Sequence, residues 1–199
     1  MTGKRVDVTR AASIIVVCGS SGSGKSAWVK QRIAKARRVL VWDVDDEYEG
    51  FERITAPAAL IEALRSAKAG RFAFVAPVKA FDLWARAAFA WGNCTAVAEE
   101  LAGVTTPGKA PPGWHQLVSR GRKRGIEVIG VTQRPSESDK TIMGNATLIH
   151  CGMLAREQDR AYMARELDVP LAQVNELEPL EWIERKRGAK VVTRGRLRF

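Results

Sequence analysis

Residues 19–26 read Gly-Ser-Ser-Gly-Ser-Gly-Lys-Ser, a full match to G-x-x-x-x-G-K-[ST], and they follow the apolar run Ser13 to Cys18 without a break. Few folds accommodate that order. The apolar run reads as a core strand, the glycines turn the chain, and Lys25 opens a helix whose inner face carries Ala27, Trp28, Ile33 and Ala34. In such a turn, successive backbone N–H groups curl around an anion and the positive end of the helix dipole points at it. Gly19, Ser20, Ser21, Gly22, Ser23, Gly24, Lys25 and Ser26 are therefore the candidate cradle for a nucleoside triphosphate. Lys25 would pair with the β- and γ-phosphate oxygens, and the Ser26 hydroxyl would hold Mg²⁺.

The 199 residues are enough for one well-buried domain and too few for two. We read residues 1–199 as one domain, with a core at about 11–155 and a C-terminal helix and basic hairpin at 156–199. The net charge of +10 exceeds what a nucleotide alone needs and points to an extended anionic partner, because counterion release from phosphates drives such binding. Cys18, Cys94 and Cys151 fall in or beside apolar runs without metal-like spacing, as reduced core thiols do. Lys4, Arg5 and Arg10 before Ala11 to Cys18 resemble a short signal sequence, but the apolar stretch is brief and runs straight into the glycine loop. No other stretch is long enough to cross a membrane, which places the chain in the cytoplasm.

Short β-branched runs alternate with helical patterns, the signature of a mostly parallel sheet flanked by helices. Strands are expected at Ile14 to Cys18, Val39 to Trp42, Phe72 to Val75, Thr95 to Ala98, Val128 to Thr132 and Leu148 to Cys151. Helices are expected at Lys25 to Lys35, Pro57 to Ala67, Ala80 to Trp91, Gln116 to Arg124 and Arg156 to Leu167. Trp84, Ala88 and Trp91 recur at helical spacing and read as core. Val104 to Trp114, rich in Thr, Pro and Gly, reads as a functional loop containing Lys109. From Arg185 onward the tail carries Arg185, Lys186, Arg187, Lys190, Arg194, Arg196 and Arg198 and no acid, a pattern for a hairpin turning at Gly188.

Nucleotide hydrolysis also needs carboxylates at the end of a neighbouring strand. Two runs compete. Val39 to Trp42 ends in the single acid Asp43, the form of a small-molecule kinase or switch GTPase; Ala96 to Ala98 ends in Glu99-Glu100, one acid for the metal side and one for water. A third strand ends in Thr132-Gln133-Arg134-Pro135, which puts Gln133 where a polar side chain can sense the γ-phosphate.

Taken in order, the glycine loop, the paired acids, Arg122-Lys123-Arg124-Gly125-Ile126 and Thr132-Gln133-Arg134-Pro135 resemble the FtsK/HerA superfamily of DNA-pumping ATPases, over roughly Ile14 to Cys151. Asp43 and Glu47-Tyr48 resemble the segment that ends the second strand in HerA-like members. The resemblance implies a RecA-like (ASCE) P-loop α/β fold, ATP and Mg²⁺ as cofactors, Glu99 as the metal-side acid acting through water, and Glu100 as the water-orienting acid. The family pattern is Asp-Glu where this chain has Glu99-Glu100, so either order of roles stays open. It also implies Gln133 as sensor and Arg122, or its neighbours Arg120 and Arg124, as an arginine finger for the next subunit.

The absence of a lid, a DNA-reading domain or a membrane segment is similar to the genome-packaging ATPases of tailless, internal-membrane viruses. That likeness implies a homo-oligomeric ring, a hexamer, moving double-stranded DNA without regard to sequence, docked to capsid-vertex or portal proteins in the host cytoplasm or at the virion vertex. Lys109 or the basic tail would serve the pore or the dock. The alternatives are a morphogenesis or secretion ATPase of the zonular-occludens-toxin type, and a small-molecule kinase, which leaves Gln133 and its neighbours unexplained.

Overall fold

The structure, a computed structural model, describes residues 13–198; Lys4, Arg5, Arg10 and the first residues of the expected core lie outside the described residues. The strands are β1 (Ile14–Cys18), β2 (Arg38–Trp42), β3 (Glu52–Ile54), β4 (Gly70–Phe74), β5 (Thr95–Ala98), β6 (Glu127–Thr132), β7 (Leu148–Gly152), β8 (Glu181–Lys186) and β9 (Thr193–Arg196). The helices are α1 (Lys25–Ile33), α2 (Pro57–Ser66), α3 (Phe81–Trp91), α4 (Leu101–Val104), α5 (Pro112–Arg120), α6 (Lys140–Asn145), α7 (Glu157–Leu167) and α8 (Leu171–Asn175).

All nine strands form one sheet in the order β3-β4-β2-β5-β6-β1-β7-β8-β9. The first seven positions are parallel; β8 and β9 extend the sheet as an antiparallel hairpin. The expected mostly parallel α/β architecture is the one observed. Strand β6 stands between β1 and β5, so the glycine loop and the paired acids belong to strands separated by a single strand.

Alternation along each strand divides the core. Ile14, Val16 and Cys18 face one side with Leu40, Trp42, Phe74, Ala96 and Val128, under α3 and α5. Ile15 and Val17 face the other with Val39, Val41, Val97, Ile129 and Val131, beneath Val29 and Ile33 of α1. On the first side Trp42, Phe81, Trp84 and Trp114 form a buried aromatic group, Trp84 lying 5.4 Å from Phe81 and 6.4 Å from Trp114. Trp84 and Ala88 are buried, and Trp91 packs against the same core.

Three expectations shift. The helix expected from Gln116 starts at Pro112, because proline is well placed at a first helical position, and it ends in a 3₁₀ turn, Gly121–Arg124. The expected long loop shortens to residues 105–111, pinned by the Thr106–Lys109 bridge. The C-terminal hairpin begins before Arg185, at Glu181, and Gly188 (φ 79°) lies in the connection between its strands.

Candidate functional site

At the carboxyl end of β1 the chain turns through residues 19–24, and α1 starts at Lys25. The turn is tied to β7 and β6: Ser20 donates from its amide (2.7 Å) and hydroxyl (3.0 Å) to the Met153 carbonyl, and the Gly19 amide donates to the Thr132 carbonyl (3.3 Å). Gly24 has φ 92°, and a β-carbon there would meet Leu197 Cδ1 at 2.4 Å and Leu180 Cδ2 at 3.2 Å. Left-handed backbone and close approach together demand glycine at this position. The hairpin residues Leu180 and Leu197, themselves joined by a 2.9 Å amide–carbonyl bond, thus lie against the loop.

A cavity of about 360 Å³ opens over this loop, and its walls include Ser21, Gly22, Gly24, Lys25, Ser26, Asp43, Asp45, Glu47, Glu99, Glu100, Gln133 and Leu180. The structure therefore brings Lys25, Ser26, Glu99, Glu100 and Gln133 around one space. It does not bring Arg122 there. Arg122 lies in the 3₁₀ turn before β6, at the opposite end of the parallel strands; it and Arg120 are exposed, whereas Arg124 donates to the Ala90 carbonyl (2.9 Å).

Five carboxylates thus face a single lysine. Lys25 Nζ donates to the Ser20 carbonyl (3.0 Å), and among the described residues no ion pair engages it. Burial lowers its ammonium below the ordinary lysine range, against the upward pull of Glu100 and Glu99. Burial also pushes Glu99 up to about 7; the Tyr48 hydrogen bond and Lys25 oppose that rise, and Glu100 and Glu47 add to it. Glu100 is half-buried, has a left-handed backbone (φ 49°, ψ 53°) and accepts from Gln133 Nε2 at 2.8 Å. Leu180 is left-handed as well (φ 69°). Non-glycine residues in that region cost roughly 1–3 kcal/mol, and strain of this kind gathers at functional sites.

Asp43, the rival acid, lines the cavity and also organises its own loop. Its Oδ1 accepts from the Glu47 amide (2.9 Å) and its Oδ2 from the Tyr48 amide (3.0 Å), so both oxygens shape the 43–48 loop. Arg134, next to Gln133, is pinned to α7 by Asp159 (2.8 Å), and Asp159 also accepts from the Ser136 amide and hydroxyl. Burial raises the Asp159 carboxyl, yet Ser136 and Arg134 together hold it below the usual range. That clasp fixes the backbone that presents Gln133.

The site suits a triphosphate: left-handed glycines at 22 and 24, a helix N-terminus and a lysine without a carboxylate partner converge on the cavity. Among the described residues no three carboxylate, histidine or cysteine side chains stand close enough to hold a metal by themselves. A cation here would need phosphate oxygens and Ser26 to complete its shell, as Mg²⁺ at nucleotide sites does. Sequence reasoning missed Leu180 and the contact of Tyr48 with Glu99; the two residues are 51 positions apart, and only the pairing of β2 with β5 makes them neighbours.

No protein-family model matches the chain. Protein P9 of Pseudoalteromonas phage PM2 is 33% identical over 184 residues, covering 88% of this chain and 84% of the relative. Among solved structures, the genome packaging NTPase B204 of Sulfolobus turreted icosahedral virus 2, in complex with AMPPCP, superposes with a TM-score of 0.79 at 15% identity, over 94% of this chain and 98% of that one. The N-terminal domain of zonular occludens toxin from Neisseria meningitidis gives 0.56 at 14% identity, over 94% of each. The fold is that of P-loop NTPases, as the FtsK/HerA resemblance implies.

Proposed function

The chain belongs to the family of Protein P9 of Pseudoalteromonas phage PM2, and on that premise we propose that it is a genome-packaging ATPase that drives double-stranded DNA as a homo-oligomeric ring. The observation that carries the reading is the convergence of Lys25, Ser26, Glu99, Glu100 and Gln133 on one cavity whose lining includes no arginine. Two adjacent glutamates beside a phosphate loop suit hydrolysis. A site with lysine as its one cation suits completion by a neighbour's arginine.

Magnesium ATP, when bound, supplies the phosphoanhydride bond to be broken. The backbone amides of residues 19–24 and Lys25 would bind and orient the β- and γ-phosphates, Lys25 now donating to the Ser20 carbonyl. Ser26 and, by way of a water molecule, Glu99 would hold the cation, which would offset charge on the phosphate oxygens. Glu100 receives the proton of the attacking water, and Gln133, now bonded to Glu100, reports γ-phosphate occupancy to β6 and to the Arg134–Asp159 clasp. Arg122, from the next subunit, meets the charge that develops on the transferred phosphoryl group. DNA phosphates, rather than base edges, meet the basic residues, Lys109 and the tail among them, while vertex or portal proteins anchor the ring.

The test is the ATPase rate with and without double-stranded DNA over a salt series, alongside the oligomeric mass. DNA stimulation that fades steeply with salt, in a ring-sized particle, is expected. No stimulation at low salt, in an oligomer, would transfer the chain to the secretion-type alternative; a monomer indifferent to DNA would transfer it to the kinases.

A further inference from the structure

We propose that Tyr48 is a positioning residue for the metal-side acid, its hydroxyl holding one oxygen of Glu99 so that the other is presented to the cavity. The inference deepens the proposed hydrolysis and rests on Glu99 having that role. Tyr48 Oη donates to Glu99 Oε1 at 2.5 Å, and no other hydrogen bond engages that carboxylate among the described residues. Both side chains are buried, at 4% and 8% exposure. Tyrosine has one proton to give, so this bond commits it.

The phenol is itself held from three sides. Its backbone amide is fixed by Asp43 (3.0 Å), Phe51 packs edge-on against the ring at 5.3 Å, and the Lys30 ammonium stands 5.3 Å from the ring centroid. Lys30 also donates to the Glu47 carbonyl at 2.8 Å, which ties the nucleotide helix α1 to the loop that carries Tyr48. The two acids are thereby secured from opposite flanks of β5, Glu99 by Tyr48 from the β2 side and Glu100 by Gln133 from the β6 side. Leaving Glu99 unheld in this buried place would let it rotate away from a cation that must be approached from one direction.

The experiment compares Tyr48→Phe, Glu99→Gln and the double variant. Affinity for a fluorescent ATP analogue is measured in EDTA and in Mg²⁺, together with kcat, KM and the thermal midpoint of the nucleotide-free protein. Tyr48→Phe keeps the ring, so affinity in EDTA should stay native and the thermal midpoint should fall only by the loss of one buried hydrogen bond. The Mg²⁺-dependent gain in affinity and kcat should each fall about tenfold, the scale of a hydrogen bond to a charged group, with KM in Mg²⁺ rising. In the Glu99→Gln background the same change should cost less than about twofold, because coupled residues are not additive. An equal loss in both backgrounds, or native kcat and native Mg²⁺ response in Tyr48→Phe, overturns the role of Tyr48. Native turnover by Glu99→Gln alone overturns the assignment of Glu99 and this inference with it, so the two failures are told apart.

Discussion

The two ends of the parallel sheet carry opposite charge. At the carboxyl end Asp43, Asp45, Glu47, Glu99 and Glu100 surround Lys25; at the other end a groove of about 970 Å³ is lined by Arg38, Arg65, Lys68 and Arg124 with no carboxylate among its walls, and Arg120, Arg122 and Lys123 stand exposed nearby. A chain with ten surplus positive charges has placed almost none of them where the most highly charged small anion would sit. So many carboxylates around one lysine would favour a polyphosphate that arrives with a cation. On the proposed function, that surplus would be free to meet a DNA backbone or the acidic end of the next subunit, the complementarity a head-to-tail ring would use.

The contrast would break most visibly at Arg122. If the basic end serves a neighbour's chemistry, Arg122→Ala should cut kcat by roughly 10³ to 10⁵ with nucleotide affinity kept, and mixing it with Lys25→Ala subunits should restore part of the turnover. If that end serves DNA alone, the same variant should change only the salt slope of DNA binding, which a salt titration reads directly. Removing the lysine of the cavity lining tests the other half: Lys25→Ala should abolish measurable nucleotide binding by equilibrium titration, and wild-type hydrolysis in that variant would end its phosphate role. Glu100→Gln should lower kcat about 10² to 10⁴-fold while ATP stays bound, and if Glu99→Gln alone does this in single-turnover assays, the roles of the two acids exchange.

The smallest effect is on stability. Glu99 has its pKa raised from 4.5 to about 7 by burial, so its favourable contribution is complete below pH 4.5 and is lost as pH rises through 7. Without nucleotide or metal, Glu99→Gln should match the native protein in urea unfolding near pH 4.5. It should exceed the native stability by on the order of 3 kcal/mol above pH 8. A pH-independent difference would remove the burial argument for the acidic end.

The phosphate loop, six of the parallel strands and the strand-end positions of Glu99, Glu100 and Gln133 were legible because each depends on a contiguous run. Strand β3 was not: its three residues are Glu, Arg and Ile, two of them exposed, and only its pairing with β4 makes it a strand. The start of α5 was missed because Pro111-Pro112 reads as a loop until the second proline is seen at the first helical position. Asp43 stood as a rival candidate for the metal carboxylate by its place after an apolar run. The backbone amides that occupy both its oxygens come from its own loop, a conformation no period in the sequence encodes. Leu180 gave no signal at all, since an aliphatic residue in left-handed backbone contradicts local preference and is stabilised by distant packing on Gly24.

The packing of Leu180 and Leu197 on Gly24 also sets an order of events during synthesis. The glycine loop leaves the ribosome more than 150 residues before the leucines that cover it. Translation adds roughly 5–20 residues per second, so for many seconds a nascent chain exposes its phosphate loop without the hairpin that shapes it. The fuel pocket is begun first and finished last, so an incomplete chain lacks part of its fuel pocket.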